Sequence, residues 1–231
     1  MIREIHLDVL VDDIPAVEGV LPLHGLSINL EITYSDGSGK TVLFDTGPSA
    51  KILDRNAREL GVVLNPDVVF GSLPHFHHIG GLLSSLRGKP RVLPPPPLTP
   101  RKESGVRPLP GVPDVFVLQG DTYWNEQGLA VRTRRGWLVV LGCSIHGLRR
   151  TFGGVLAELG EIWGLVGGLN ISTRDSVNIR FLEKISRRGL ELVMPLHSVS
   201  MEARKTILEG INRFDFGYEV SGCGVQSDFS F

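Results

Sequence analysis

A short apolar run, Val68-Val69-Phe70-Gly71-Ser72, leads directly into Leu73-Pro74-His75-Phe76-His77-His78-Ile79-Gly80-Gly81. The run has the length and β-branched content of a buried strand. The chain then turns, so three of its seven histidines fall within four positions at that strand's carboxyl end. Open α/β sheets place their ligands on such loops. The double glycine lets backbone pack close where a following helix is expected to begin. The stretch therefore calls for a sheet edge that carries a site, with a helix behind it.

The rest of the chain supplies the layers. Apolar runs predict strands at 5–11, 27–34, 41–45, 68–72, 115–119, 129–133, 137–142, 162–166 and 192–195. Tyr34-Ser35-Asp36-Gly37-Ser38-Gly39 reads as a hairpin turn, and Arg135-Gly136 marks a second. Helical spacing appears at 49–60, 147–159, 176–188 and 200–209. Ser49 and Ser200 are placed to cap their helices, and Gly61 to close the first. Mixed strands with helices outside fit a layered α/β sandwich. No internal repeat is visible, and Pro94-Pro95-Pro96-Pro97 reads as a stiff polyproline II spacer.

Composition narrows the function classes. With 231 residues and 42% hydrophobic content, the chain can bury a large core, and one domain over 1–231 is expected. Lys plus Arg (24) nearly balances Asp plus Glu (25), so no net field favours nucleic acid. The Arg132-Thr133-Arg134-Arg135 cluster reads as a solvated hairpin turn. The start carries early charges and no signal-peptide pattern. No window approaches the roughly 18 apolar residues of a membrane span. Cys143 and Cys223 make no disulfide framework. These readings point to a soluble cytoplasmic protein whose partner is a small molecule.

Three histidines in four positions suit a tetrahedral ion. Zinc takes imidazole nitrogen at roughly 2.0–2.1 Å and, in catalytic sites, three protein ligands plus water. Loop histidines facing water are the alternative, and a triple cluster beside a double glycine weighs against it. Cys143 reads either as a small buried core residue or as a group facing the metal pocket. His24 reads either as a pocket-lining acid or substrate contact, or as a loop histidine without a role. His6 reads as structural.

The histidine stretch resembles the signature of the metallo-β-lactamase superfamily, His-x-His-x-Asp-His-x-Gly-Gly. Aligned on the glycines, His75 and His78 match, Leu73 stands for the first histidine and His77 for the aspartate. Leu43-Phe44-Asp45-Thr46-Gly47 resembles its strand-end motif. His24-Gly25-Leu26-Ser27, Gly142-Cys143-Ser144-Ile145-His146-Gly147 and Pro195-Leu196-His197 resemble motifs of a branch that includes dihydropterin ribofuranosyl-aminobenzene phosphate synthase-like proteins. The resemblance covers nearly the whole chain and implies a four-layer αββα sandwich with metal at one edge between the sheets.

Its departures define a partial site. The first metal position would need Leu73, His75 and Ile145, and only His75 can ligate. His146 is the neighbour able to replace Ile145. The second position would take His77, His78 and His197, all able to coordinate. The resemblance thus implies one divalent ion, zinc or similar, rather than two, held among His75, His77, His78 and His197 with His146 in support. An all-imidazole set still acidifies water. Asp45 is expected to orient a histidine through its other ring nitrogen, to cap the helix near Pro48, or both. Asp45 and His77 are the catalytic candidates, and His24, Asn170 and Cys143 the substrate contacts. Asn170 stands where that branch has histidine. Two functions follow as expectations: a metal-dependent hydrolase or related transferase, or a silent relative that binds a phosphorylated or pterin-like ligand or a protein partner.

Overall fold

A computed structural model describes residues 1–83, 86–99 and 105–231. Among these residues the chain forms, in order, β1 (Ile2–Val11), β2 (Ser27–Tyr34), β3 (Gly39–Phe44), α1 (Ala50–Glu59), β4 (Val68–Phe70), the one-turn α2 (Phe76–Ile79), β5 (Arg91–Val92), β6 (Val106–Pro108), β7 (Val115–Gln119), β8 (Gln127–Thr133), β9 (Gly136–Leu141), α3 (Leu148–Glu158), β10 (Ile162–Gly167), α4 (Ser176–Ser186), β11 (Leu192–Pro195), α5 (Met201–Gly210) and β12 (Gln226–Ser230). The strands make two six-stranded sheets, ordered β12-β1-β2-β3-β4-β5 and β11-β10-β9-β8-β7-β6.

Strand periodicity explains the four layers. Successive side chains point to opposite faces, so strands such as β3, β4, β9, β10 and β11 serve two cores. Ile28, Val42, Phe44 and Phe70 of the first sheet meet Leu129, Leu138, Val140 and Met194 of the second in one central core. The alternate residues face outward. Leu43 and Val69 pack under α1 with Leu53 and Ala57. Val139, Leu165 and Val193 pack under α3, α4 and α5 with Phe152, Leu182 and Ile207. In the central core Phe44 and Phe70 stack at 5.3 Å between centroids. Truncating Phe70 to alanine there would cost about 3–5 kcal/mol in cavity and transfer terms.

The expected hairpin at 34–39 joins β2 to β3 with Ile32 opposite Lys40. The Arg135-Gly136 turn joins β8 to β9 with Thr133 opposite Gly136. Ser49 caps α1 by accepting from the Ile52 N–H, and Ser200 caps α5 by accepting from Ala203. The cap of α4 is Asp175, one residue before the expected start. Strand β12 escaped the sequence pattern because Gln226-Ser227-Asp228-Phe229-Ser230 carries a single large apolar side chain. It forms because β1 offers it an edge, with Ile5 opposite Phe229. No helix of the described residues is long and apolar enough to cross a membrane.

The parallel pairs β3–β4 and β9–β10–β11 turn their carboxyl ends the same way within each sheet. The loops after β1, β3, β4, β9, β10 and β11 carry Asp13, Asp45, His75 to His78, Cys143, Asn170 and His197 in turn.

Candidate metal centre

The loop after β4 does not reach a long helix at once. It makes the single turn α2, with His75 at its N-cap, and then a turn of 3-10 helix over Gly80–Leu83. Within α2, His77 is partly exposed and His78 is buried. Leu73, where the superfamily signature has its first histidine, is a core residue, 2% exposed. The double glycine has a steric reason. A Cβ at Gly81 would lie 2.3 Å from the Thr46 carbonyl oxygen, so the turn can rest on the loop after β3 only without side chains.

Asp45 governs the inner wall. It is fully buried and holds a left-handed φ of 56°. Its Oδ1 accepts from the Ser72 N–H (2.6 Å), and its Oδ2 accepts from the Ser72 hydroxyl and from His78 Nδ1, each at 2.6 Å. Of the two expected placements, the structure has the first: Asp45 addresses a histidine, and Ser49 does the capping. Burial works to lower His78, but the Asp45 charge and hydrogen bond override it and push it up to about 10. With Nδ1 committed to Asp45, Nε2 is the nitrogen left for a ligand.

Asp13 does the same for His197. Its Oδ1 accepts from His197 Nδ1 (2.8 Å), from His24 Nδ1 (3.1 Å) and from the Gly25 N–H (3.1 Å), and its Oδ2 from Ser198 N–H (3.1 Å). Burial works to raise the Asp13 carboxyl, and these donors, His197 foremost, hold it well below the usual carboxylate range. Burial works to lower His197, and Asp13 raises it overall.

Cys143 completes the inner wall. Its loop is gripped by the buried Glu126, which accepts from three successive N–H groups, Cys143 (3.0 Å), Ser144 (2.6 Å) and Ile145 (2.9 Å). Ser144 takes φ 58° within that grip, and Gly142 leaves room where a Cβ would strike the Ser72 hydroxyl at 1.9 Å. Burial and the nearby Cys143 push Glu126 up to about 7 against its three donors. Burial works to raise the Cys143 thiol, while hydrogen bonds to His197 and His78 and their charge bring it down to about 6.

Two groups of donors result among the described residues, each with ligand atoms within 4.8 Å of one another: His78, Cys143 and His197, and His24, His77 and His197. The first is lined by carboxylate-oriented imidazoles and a thiol. The second lies at the rim, where His24 is exposed and its ring sits 4.3 Å from that of His77. Burial and then the surrounding imidazoles, His24 first, push His77 down to about 4. His75 is near His77, with centroids at 4.6 Å, but belongs to neither group.

His146 also belongs to neither, contrary to the sequence expectation. The turn at Ser144 and the hold of Glu126 aim Cys143 at His78 and His197, and three residues later His146 packs at 5.4 Å from the Tyr123 ring. Its Nε2 is buried with no hydrogen-bond partner among the described residues. Asn170, at φ 46°, donates from Nδ2 to the Ile145 carbonyl oxygen (3.0 Å), so its amide holds the same loop. Sequence reasoning missed Asp13 and Glu126. The visible signals were an acidic pair closing an apolar strand, Val11-Asp12-Asp13, and a lone carboxylate opening another, Glu126-Gln127-Gly128-Leu129.

The donor set fits a divalent ion. Nitrogen and thiolate donors suit zinc, catalytic zinc sites use three protein ligands, and a carboxylate on the far nitrogen of each histidine is the usual support. No protein-family model and no curated protein matches the chain. Solved structures do. Tm1679, a metal-dependent hydrolase of the β-lactamase superfamily, matches with a TM-score of 0.69 and 23% identity over 98% of this chain and 99% of its own. The short form of human tRNase Z matches with a TM-score of 0.51 and 13% identity over 97% and 98%. At these identities the likeness concerns the fold, and the chain has the four-layer αββα fold of the metallo-β-lactamase type.

Proposed function

We propose that the protein is a metal-dependent hydrolase, or a closely related transferase, that holds one divalent ion on His78, Cys143 and His197. The observation that carries this reading is the convergence of a thiol and two histidines, each histidine fixed through Nδ1 by a buried or part-buried carboxylate. When bound, such an ion supplies Lewis acidity toward water and toward a carboxylic or phosphoryl centre. Everything else falls to the chain. Asp45 and Asp13 fix ring orientation and tautomer, Glu126 holds Cys143 in place, and Asn170 tightens the loop. His77 is neutral at pH 7 and stands at the rim, where it is available to accept a proton from, or hydrogen-bond, a small-molecule substrate. His24 shares Asp13 with His197 and faces solvent as a substrate contact.

What supports a count of one ion is His197. It is common to both donor groups, and with Nδ1 on Asp13 it has one nitrogen to give. Leu73 in the core and Asn170 on the Ile145 carbonyl favour a second reading, a silent relative that binds a phosphorylated or pterin-like ligand. One experiment separates them. Elemental analysis of protein purified without chelator should give about one zinc per chain, and turnover of carboxylic or phosphate esters should vanish in His78→Ala. Metal far below stoichiometry, with no uptake on adding zinc, would sink the first reading and leave the second.

A further inference from the structure

Helices α3 and α4 leave a groove of about 600 Å³ between them, lined by none of the histidines. Its wall along α4 and the turn that follows carries two rows. Val177, Phe181 and Ile185 follow one another at four-residue steps, and Arg180, Lys184 and Arg188 do the same three residues on. Steps of four stack side chains along one face of a helix, so the apolar row runs about 12 Å, and Arg188, in the turn just past α4, extends the cationic row. Arg149 of α3 adds a fourth cation to the lining. Among the described residues none of the four enters an ion pair. No carboxylate lines the groove either. Glu183 faces the cleft toward α5, and Glu158 lies beside Gly105. In a chain of formal net charge −1, this is a local concentration of positive charge over an apolar floor.

The floor on α3 is kept low by glycine. Gly154 sits within the helix, where glycine weakens helical structure, and a Cβ built there would meet nothing within 4 Å. The protein's own packing therefore does not require its lack of a side chain.

We propose that this groove receives an acidic amphipathic helix from a partner protein. Carboxylates at four-residue steps on that helix would face Arg180, Lys184 and Arg188, and an apolar row beside them would lie on Val177, Phe181 and Ile185. The pairing of rows selects this occupant. A single-headed amphiphile would engage one cation and leave the others idle. A nucleic-acid backbone would lay phosphates against the apolar row.

The test uses the whole chain and a fluorescein-labelled peptide of about 15 residues, long enough for helix formation. It carries Glu at every fourth position and Leu at the positions beside them, and is read by fluorescence anisotropy. The expected result is saturable binding that weakens by about tenfold or more when both Lys184 and Arg188 are changed to Glu. The charge-reversed protein should instead bind a peptide with Lys in place of each Glu. Gly154→Leu should weaken the original peptide while leaving the melting temperature equal or higher, since leucine is the better helix former. The proposal is overturned by no binding, by binding that ignores Gly154→Leu, or by tighter binding of a single-stranded RNA or of phosphatidylserine vesicles.

Discussion

Inner and outer histidines at the same sheet edge are built differently. His78 and His197 are 1% exposed, and each donates Nδ1 to an aspartate. His75 and His77 stand at the surface side of the same turn and, among the described residues, bond to no carboxylate. Their neighbours act oppositely. Aspartates raise the inner pair, while burial and neighbouring imidazoles lower the outer pair. A histidine is made ready for an ion by what grips its other nitrogen, and counting histidines in a motif cannot see that grip.

The sharpest way to break this contrast is to remove one donor from each side. Cys143→Ser and His197→Ala should abolish stoichiometric zinc, whereas His75→Ala and His77→Ala should leave zinc content unchanged, as read by elemental analysis. A His77→Ala protein without metal, beside a Cys143→Ser protein that keeps it, would reverse the assignment.

A second test leaves the donors in place and loosens the grip. Asp45→Asn should weaken zinc binding by roughly 10–100-fold, the usual cost of losing such a support. It should also change the pH dependence. A protonated imidazole or thiol cannot ligate, so apparent affinity in the native protein should rise with pH while His78 loses its proton, toward about pH 10. The rise is up to about tenfold per pH unit for one displaced proton, and steeper below about pH 6, where Cys143 is also protonated. In Asp45→Asn the charge that raises His78 is gone, and the rise above neutral pH should flatten. Chelator competition at acidic, neutral and alkaline pH measures this, and a native profile with no slope would count against the orienting role.

The smallest expected effect concerns the loop that brings the thiol inward. Glu126→Gln replaces a carboxylate held by three N–H groups with an amide that can satisfy fewer of them. Denaturant unfolding should show a loss of about 1.5–3 kcal/mol, the range for a hydrogen bond to a charged group. Zinc affinity should fall with it, while His75→Ala changes neither.

Much of the architecture was legible. Alternation at 28, 30 and 32 marks one buried face, and the unbroken apolar run at 138 to 141 marks a strand buried on both. The Asp45 motif and His197 were legible as strand-end groups. What was hidden depended on contacts distant in sequence. Asp13 earns its place only because His197, 184 residues away, comes to meet it. Cys143 rather than His146 faces the inner histidines because Glu126 sets the turn, and no local rule of spacing encodes that grip. Strand β12 was hidden for the same reason, since its partner lies at the other end of the chain.

Asp12 and Asp13 are consecutive, yet one is sealed in the interior with Arg204 of α5 and the other opens onto the donors. The fully buried Arg204 also bonds the Val199 and Ser221 carbonyl oxygens, so it ties the end of β1 to the last third of the chain. This has a temporal consequence. During synthesis the first aspartate emerges long before its arginine, and Asp13 waits equally long for His197. The inner donor group cannot exist on a nascent chain that stops short of His197, in the loop after β11. On the proposed site, metal capture is therefore a late event of folding, and a chain cut before His197, even one with β1 to β10 paired, would leave His78 and Cys143 without the third donor.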